Sequence, residues 1–399
     1  MLIWILVAIT IGILAGIITG LTPGVHINLI SALIISSSAF LLSITSPIIL
    51  ACFIIAMSVT HTFLDTIPSV FLGAPEGATA LGVLPGHRYL LKGKGYTAVK
   101  LTIIGSLFGL FAAIVIFPFL VPVVKIVYPV IQPYIGYMLI IIALFMILRD
   151  RLKQWAVLIF LSAGLLGLIV FSLPVKNPLF PLLSGLFGVS TLLFSLNEKD
   201  CMPKQKTKQD LRIEKKVAAK AVASGTFSGW LTSMLPGIGA ATAAIISMQI
   251  TRKLGDYGFL ILIGSISTVN FILSLVTLYV LNKARNGSVI AVQKLVENIA
   301  LSHIVIFISA SLITAGFAVF LGLKISKIFS KLIQRVKYRL LIMIIIGFIF
   351  LLTIILSGWL GLIILLTSTA IGLLPAIKKT SRTHGMGCLL VPVIIYFLI

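Results

Sequence analysis

The sequence predicts an all-α polytopic membrane protein of about 10–12 transmembrane helices plus two broken or re-entrant ones, set as two inverted-topology repeats. Three observations carry that prediction. Of 399 residues, 59% are hydrophobic and 10% charged, with a mean hydropathy of +1.21, well outside the range of soluble domains. Apolar runs long enough to span a bilayer recur throughout. Each half also contains a Pro-Gly turn inside such a run, Leu21-Thr-Pro-Gly-Val-His26 and Leu235-Pro-Gly-Ile-Gly239. A Pro-Gly pair takes backbone groups out of the helical ladder, and hydrocarbon has no water to satisfy them. Such a break survives only where it is buried in protein or lines a wet cavity.

The first run, 2–20, has no positive segment before it and no small-residue cleavage site after it, so it reads as a span rather than a signal peptide. After the first break, 27–44 is short enough to be a half helix, and 47–64 is a span. The stretch from Thr60 to Thr79 carries Pro68, Gly73, Pro75 and Gly77, so it is not expected to be one clean helix. Spans follow at 101–122, 125–148, 154–172 and 178–196. The polar stretch 197–216 reads as a solvated connector. Beyond it come span 217–235, the second break with a half helix at 237–250, and spans 258–281 and 299–322. Lys324 to Arg339 alternates apolar residues and cations at helical spacing and predicts an amphipathic helix on the inner leaflet. Spans 340–357, 359–377 and 385–398 complete the chain. The resulting division is a first membrane repeat, 1–196, a cytoplasmic linker, 197–216, and a second membrane repeat, 217–399.

Charge sets the orientation. There are 31 Lys and Arg against 9 Asp and Glu, net +22, and the cations flank spans. Nucleic acid is a poor explanation, because no aromatic-studded basic domain accompanies them. The positive-inside rule puts Arg88–Lys100, Arg149–Lys153, Lys199–Lys220, Arg252-Lys253, Lys324–Arg339 and Lys378–Arg382 in the cytoplasm of a cell (plasma) membrane protein. Counting spans from these loops turns the second series upside down relative to the first and leaves both termini outside.

The candidate site residues fall into two groups. Half-helix N-termini following Gly24 and Gly237 aim unpaired N–H groups and positive dipole ends at one place, which suits a carboxylate. Asn28, Thr242 and His26 would add donors. Among the acidic residues, most lie in loops or beside cations, which leaves Asp65 and Glu76 in the helix-broken, hydroxyl-rich stretch with Thr66 and Ser69. A carboxylate with hydroxyl and backbone oxygens is the donor set of a hard cation or a proton site. Asn270, in the second half, is counted with them. A cap on a broken helix end is the plainer reading of Asp65, and a wet loop that of Glu76. His61 and Asp65 stand at i, i+4, as in metal sites, but a metal needs further ligands. Cys52, Cys201 and Cys388 form no paired or metal-ligand pattern.

At this point the residues carry a resemblance. The two Pro-Gly turns, and above all Phe71-Leu-Gly-Ala-Pro-Glu-Gly-Ala-Thr-Ala-Leu-Gly-Val-Leu-Pro-Gly-His-Arg-Tyr-Leu-Leu-Lys-Gly-Lys-Gly95, resemble the large membrane (permease) subunit of tripartite tricarboxylate transporters, the TctA type, in its shorter archaeal branch. The resemblance covers nearly the whole chain. It implies cation-coupled uptake of a di- or tricarboxylate by inverted repeats, with no enzymatic activity and no cofactor beyond Na⁺ or H⁺ as coupling ion. It implies a substrate held by Pro23, Gly24, Pro236, Gly237 and Gly239. It also implies a small membrane subunit and an extracytoplasmic binding protein as partners. Two other classes stay open on the residues alone: an intramembrane metal-dependent enzyme using His61 and Asp65 with a third ligand such as His303, and a non-transporting scaffold or lipid-handling protein.

Overall fold

A computed structural model describes the chain except residues 23–26, 73–82, 197–202, 208–212, 235–242, 245–246, 248–250, 252–253, 285 and 336–337. Every described element is a helix: α1 (Leu2–Leu21), α2 (Ile27–Ser36), α3 (Ser38–Ile44), α4 (Pro47–Leu64), α5 (Thr66–Phe71), α6 (Val83–Leu91), α7 (Gly95–Ile131), α8 (Ile135–Arg149), α9 (Lys153–Ser172), α10 (Leu179–Leu183), α11 (Ser190–Ser195), α12 (Lys215–Met234), α13 (Gly255–Leu281), α14 (Gly287–Leu295), α15 (Leu301–Leu332), α16 (Tyr338–Lys378) and α17 (Gly387–Leu398). Among the described residues, seven helical stretches are long and apolar enough to cross a membrane. Two of them must cross twice. Gly95–Arg149 has 55 residues, roughly 80 Å of helix against a hydrocarbon layer of about 30 Å, and is interrupted by the 3₁₀ turn Gln132–Tyr134. The α16 helix is bent where Gly358 leaves helical geometry at φ 68°. Two shorter apolar helical stretches, Leu179–Phe194 and Arg382–Leu398, add to these.

Three expectations shift. The turn expected between 122 and 125 falls instead at Gln132–Tyr134, because α7 runs on through Pro118, Pro122 and Pro129. Each of those prolines removes one N–H from the ladder without ending the helix. Lys324 to Leu332 do not form a separate amphipathic helix, since α15 continues unbroken to Leu332 with no proline or helix-ending glycine to stop it; residues 336–337 of the expected element lie outside the described residues. The helix bearing Asp65 does not break there either. Asp65 keeps right-handed helical angles, and α4 leads directly into α5 as far as Phe71.

The centre of the molecule is built from two arms. In the first, α1 packs along α4; in the second, α12 packs along α13. The arms then exchange partners, α7 lying on α13 and α15 on α4. Both arms close on glycines, which is how helices approach where lipid tails are as apolar as leucine. A side-chain carbon on Gly12 would strike the Phe53 carbonyl and Ala56, and one on Gly16 would strike Thr60 and the Met57 carbonyl. In the second arm, Gly225 faces Ser265 and the Leu262 carbonyl, and Gly229 faces Val269 and the Ile266 carbonyl. Contacts that climb both helices together mean that α1 and α4 run parallel, as do α12 and α13. The chain between α1 and α4 must therefore return across most of that length, which is the task of α2 and α3.

Loop contacts sort the basic segments. Lys206 N–H donates to the Gly93 carbonyl at 2.8 Å, and Gly95 N–H donates to Gln205 Oε1 at 3.0 Å. Gln205 Nε2 donates to the Leu90 carbonyl at 2.9 Å. The connector expected to be solvated is thus partly docked, with Gln205 buried. Its amide satisfies backbone groups of a tight turn where Gly93 has φ 73°. Lys327 lies over the Tyr96 ring, at 5.8 Å, on this same face. Elsewhere His384 Nε2 meets Asp150 Oδ2 at 2.9 Å, joining the α8–α9 turn to the α16–α17 turn. Arg382 in that turn also bonds Thr191 of α11. Ser357, beside the bend in α16, donates to the Asn177 carbonyl at 3.2 Å, and Lys283 lies over Tyr128.

Candidate substrate and coupling site

The predicted substrate residues Pro23, Gly24, His26, Pro236, Gly237, Gly239 and Thr242 lie outside the described residues, as does Glu76. Asn28 stands in the first turn of α2, its side chain outside the described set. What the structure gives is the framework that delivers the two breaks. The α1 helix ends at Leu21 and α12 at Met234, each immediately before its Pro-Gly turn. Thr19 Oγ1 donates to the Gly16 carbonyl at 3.3 Å, and Thr232 Oγ1 donates to the Gly229 carbonyl at 2.9 Å.

A polar stripe runs up α4 and α5. Ser58, Thr62, Asp65, Thr66 and Ser69 recur at helical spacing on one face of an otherwise apolar segment, and all are buried. Most of the hydroxyl protons go to the helix's own backbone. Ser58 donates to the Ile54 carbonyl, Thr62 to the Val59 carbonyl and Ser69 to the Asp65 carbonyl, at 2.7, 2.9 and 3.0 Å. A hydroxyl whose proton is so placed has only acceptor capacity left for anything beside it, which is the polarity a cation needs. The stripe reaches neighbouring helices through Thr66 Oγ1 to Thr102 Oγ1 of α7, 3.0 Å, and Thr268 Oγ1 of α13 to Thr62 Oγ1, 3.3 Å. Asp65 makes no capping bond to the start of α5.

His61 Nδ1 and Thr19 Oγ1 are 3.2 Å apart, which ties α4 to the last turn of α1 just below the first break. His61 was read from sequence only as half of an incomplete metal pair. Its named third ligand is elsewhere: His303 Nδ1 accepts the Ala300 N–H at the start of α15, and the ring stacks on Phe307. Among the described residues no three His, Cys, Asp or Glu side chains converge as metal ligands.

Asn270 does not touch the Asp65 stripe through Thr268, since two residues on is about 200° around a helix. Its environment is nevertheless distinctive. From Leu260 to Leu278 every residue of α13 is buried except Asn270. Within that run Asn270 alone is partly exposed, and it carries a polar amide. The register of the arms gives its counterpart: with Gly225 against Ser265 and Gly229 against Val269, Asn270 holds the position that His61 holds relative to Gly12 and Gly16.

A protein-family comparison matches residues 6–387 to the tripartite tricarboxylate transporter TctA family. The chain belongs to that family. This TctA-family chain is also 31% identical, over 356 residues covering 87% of it and 88% of the relative, to the uncharacterized protein MJ1079 of Methanocaldococcus jannaschii. No solved structure matches it.

The TctA-family arms contain a signal that the sequence reading passed over. Gly12, Gly16, Thr19, Pro23 and Gly24 recur, at one constant shift, as Gly225, Gly229, Thr232, Pro236 and Gly237. The two breaks are the end of a longer shared pattern, G-x₃-G-x₂-T-x₃-P-G, whose first three members are the packing and bonding residues just described. Thr102, Thr268 and His61 had no such signal, because their partners are distant in sequence.

Proposed function

We propose that this TctA-family protein is the permease of an uptake system for a small di- or tricarboxylate, driven by Na⁺ or H⁺, working by alternating access around its two Pro-Gly breaks. The observation that carries the proposal is the arm used twice. The same glycine ladder, with the same threonine bonded to the same ladder carbonyl, precedes a Pro-Gly pair by the same number of residues in each half. Two half helices presented this way aim N–H groups and positive dipole ends at an anion from two sides. Residues 1–196 and 217–399 are then inverted repeats, a reading supported by the exchanged packing of α7 on α13 and α15 on α4. The loop contacts support the orientation as well. They pair basic turn with basic turn, Arg149–Lys153 with Lys378–Arg382 and Arg88–Lys100 with the linker, as a shared cytoplasmic face requires.

Substrate contacts are assigned to Pro23, Gly24, His26, Asn28, Pro236, Gly237, Gly239 and Thr242, and cation coupling to Asp65, Thr66, Ser69, Glu76 and Asn270. The acceptor-rich stripe around Asp65 and the partial exposure of the Asn270 amide within a buried run support the second assignment. A small membrane subunit and an extracytoplasmic binding protein complete the proposed system. The test is uptake of labelled di- and tricarboxylates into proteoliposomes with Na⁺ and pH gradients imposed separately. Accumulation that follows one gradient supports the reading, and no uptake of any carboxylate with the partner subunits present rejects it. Orientation is tested apart from transport. Cys201 of the linker should be shielded from an impermeant thiol reagent in intact cells and react once the membrane is opened.

A further inference from the structure

The corner where the α8–α9 turn meets the α16–α17 turn frames an open cleft of about 290 Å³. One side of it is apolar, formed by Phe145 and Met146 in the last turns of α8; the other carries Arg149, Arg151, Ser381 and Thr383. Asp150 also reaches the wall, but its carboxylate is occupied by the Leu152 and Ser381 N–H groups, each at 3.0 Å, and by His384 Nε2. Neither Arg149 nor Arg151 has a carboxylate partner among the described residues. Two guanidiniums therefore face a cleft whose one nearby anion is already engaged, and whose two hydroxyls bond each other at 2.7 Å.

The corner's depth is marked by Trp155, whose ring lies under Lys378 Nζ at 4.2 Å. Tryptophan paired with a cation is the signature of the boundary between headgroups and hydrocarbon. Below that level α8 turns Ile141, Leu144, Phe145 and Leu148 outward, all large and exposed, in a strip that leads up to the arginines. A ligand that fits must be anionic at one end and apolar along the rest. We propose that this corner binds an anionic phospholipid, its phosphate between Arg149 and Arg151 and its acyl chains along the outer face of α8. Guanidinium pairs suit phosphate oxygens through charge-assisted, forked hydrogen bonds. Free phosphate has the same headgroup chemistry but makes no use of the strip.

Native mass spectrometry of the full-length protein, with phosphatidylglycerol or phosphatidylcholine added to the micelle, reads the site directly. The wild type should retain phosphatidylglycerol in preference. Arg149→Gln/Arg151→Gln should weaken that retention about tenfold or more, while Lys176→Gln, a cation removed from the α9–α10 turn, should leave it unchanged. Both arginines are exposed, so their loss leaves the core intact, and Arg151→Gln alone is measured as a milder form. Equal retention of the two lipids, or undiminished phosphatidylglycerol on the double variant, overturns the proposal. A Trp155 fluorescence change with inorganic phosphate, lost in the double variant and accompanied by no lipid preference, would overturn a lipid as the occupant.

Discussion

The α1–α4 arm and the α12–α13 arm are built to one plan and equipped differently. Both close on glycines at the same register and both end in a Pro-Gly turn. Yet where the first arm has His61, the second has Asn270, and where the first has Asp65, the second has Ser274. Ser274 simply donates to the Asn270 carbonyl at 2.6 Å, whereas Asp65 stands in a row of hydroxyls that reaches α7 and α13. Shared scaffolding with unshared titratable groups separates two tasks. Holding the breaks needs only close packing and can be symmetric, whereas the coupling role proposed for Asp65 rests on a charge that only the first arm carries at this register. An ionisable group at membrane depth costs several kcal/mol, which argues against duplicating it where a serine packs as well.

The comparison is broken most severely at the glycines. Gly16→Val and Gly229→Val each force branched carbons against a neighbouring helix, and overpacking costs about 1–3 kcal/mol. Both variants should lose transport and melt at lower temperature. If one arm tolerates valine and the other does not, the arms are not equivalent. Next in size is Asp65→Asn, which should abolish accumulation under the coupling gradient, while Ser274→Ala leaves uptake within about twofold, since it removes only a hydroxyl bonded to its own helix. Equal effects at the two positions would remove Asp65 from the coupling role. His61→Asn makes the first arm imitate the second. It weakens the tie to Thr19, and loss of about 1 kcal/mol predicts uptake slowed roughly fivefold; an unchanged rate means the histidine only packs.

The smallest effect lies outside both arms. Burial by itself would raise the Asp150 carboxyl, but the Ser381 and Leu152 N–H groups and His384 outweigh it and hold the group below its ordinary value of 3.8. A carboxyl depressed by folding contributes stability above its unfolded pKa and loses it as pH falls through the folded one. Asp150→Asn should therefore lower the melting temperature at neutral pH with little change in uptake, and the gap to wild type should close below about pH 3.8. A gap that persists in acid would mean that shape, not charge, makes the tie.

Much of this was legible in the residues, for identifiable reasons. Spans are visible because lipid-facing and core-facing positions are both apolar, and the bend at Gly358 because only glycine takes φ 68° cheaply. The division expected between 122 and 125 had no such support: α7 runs on through Pro118, Pro122 and Pro129, and no glycine marks the true turn at Gln132–Tyr134. The glycine ladder is written in the sequence, yet its meaning depends on Phe53 to Thr60 and Leu262 to Val269 lying alongside, which no one-dimensional pattern states. Asp150 and His384, 234 residues apart, gave no signal at all, and Gln205 looked like any other polar linker residue.

That glutamine also bears on how the protein is made. The turn at Leu90 to Gly95 has backbone N–H and carbonyl groups whose partners are Gln205 and Lys206, residues that leave the ribosome only after helices α7 to α11 have been made. Until then the turn lacks these partners, each buried group left unmatched costing about 1–3 kcal/mol. The first half is therefore incomplete at residue 196. An upstream fragment that carries Pro203 to Thr207 should be more stable on its own than one ending at residue 196, so the natural place to divide this chain is after Thr207.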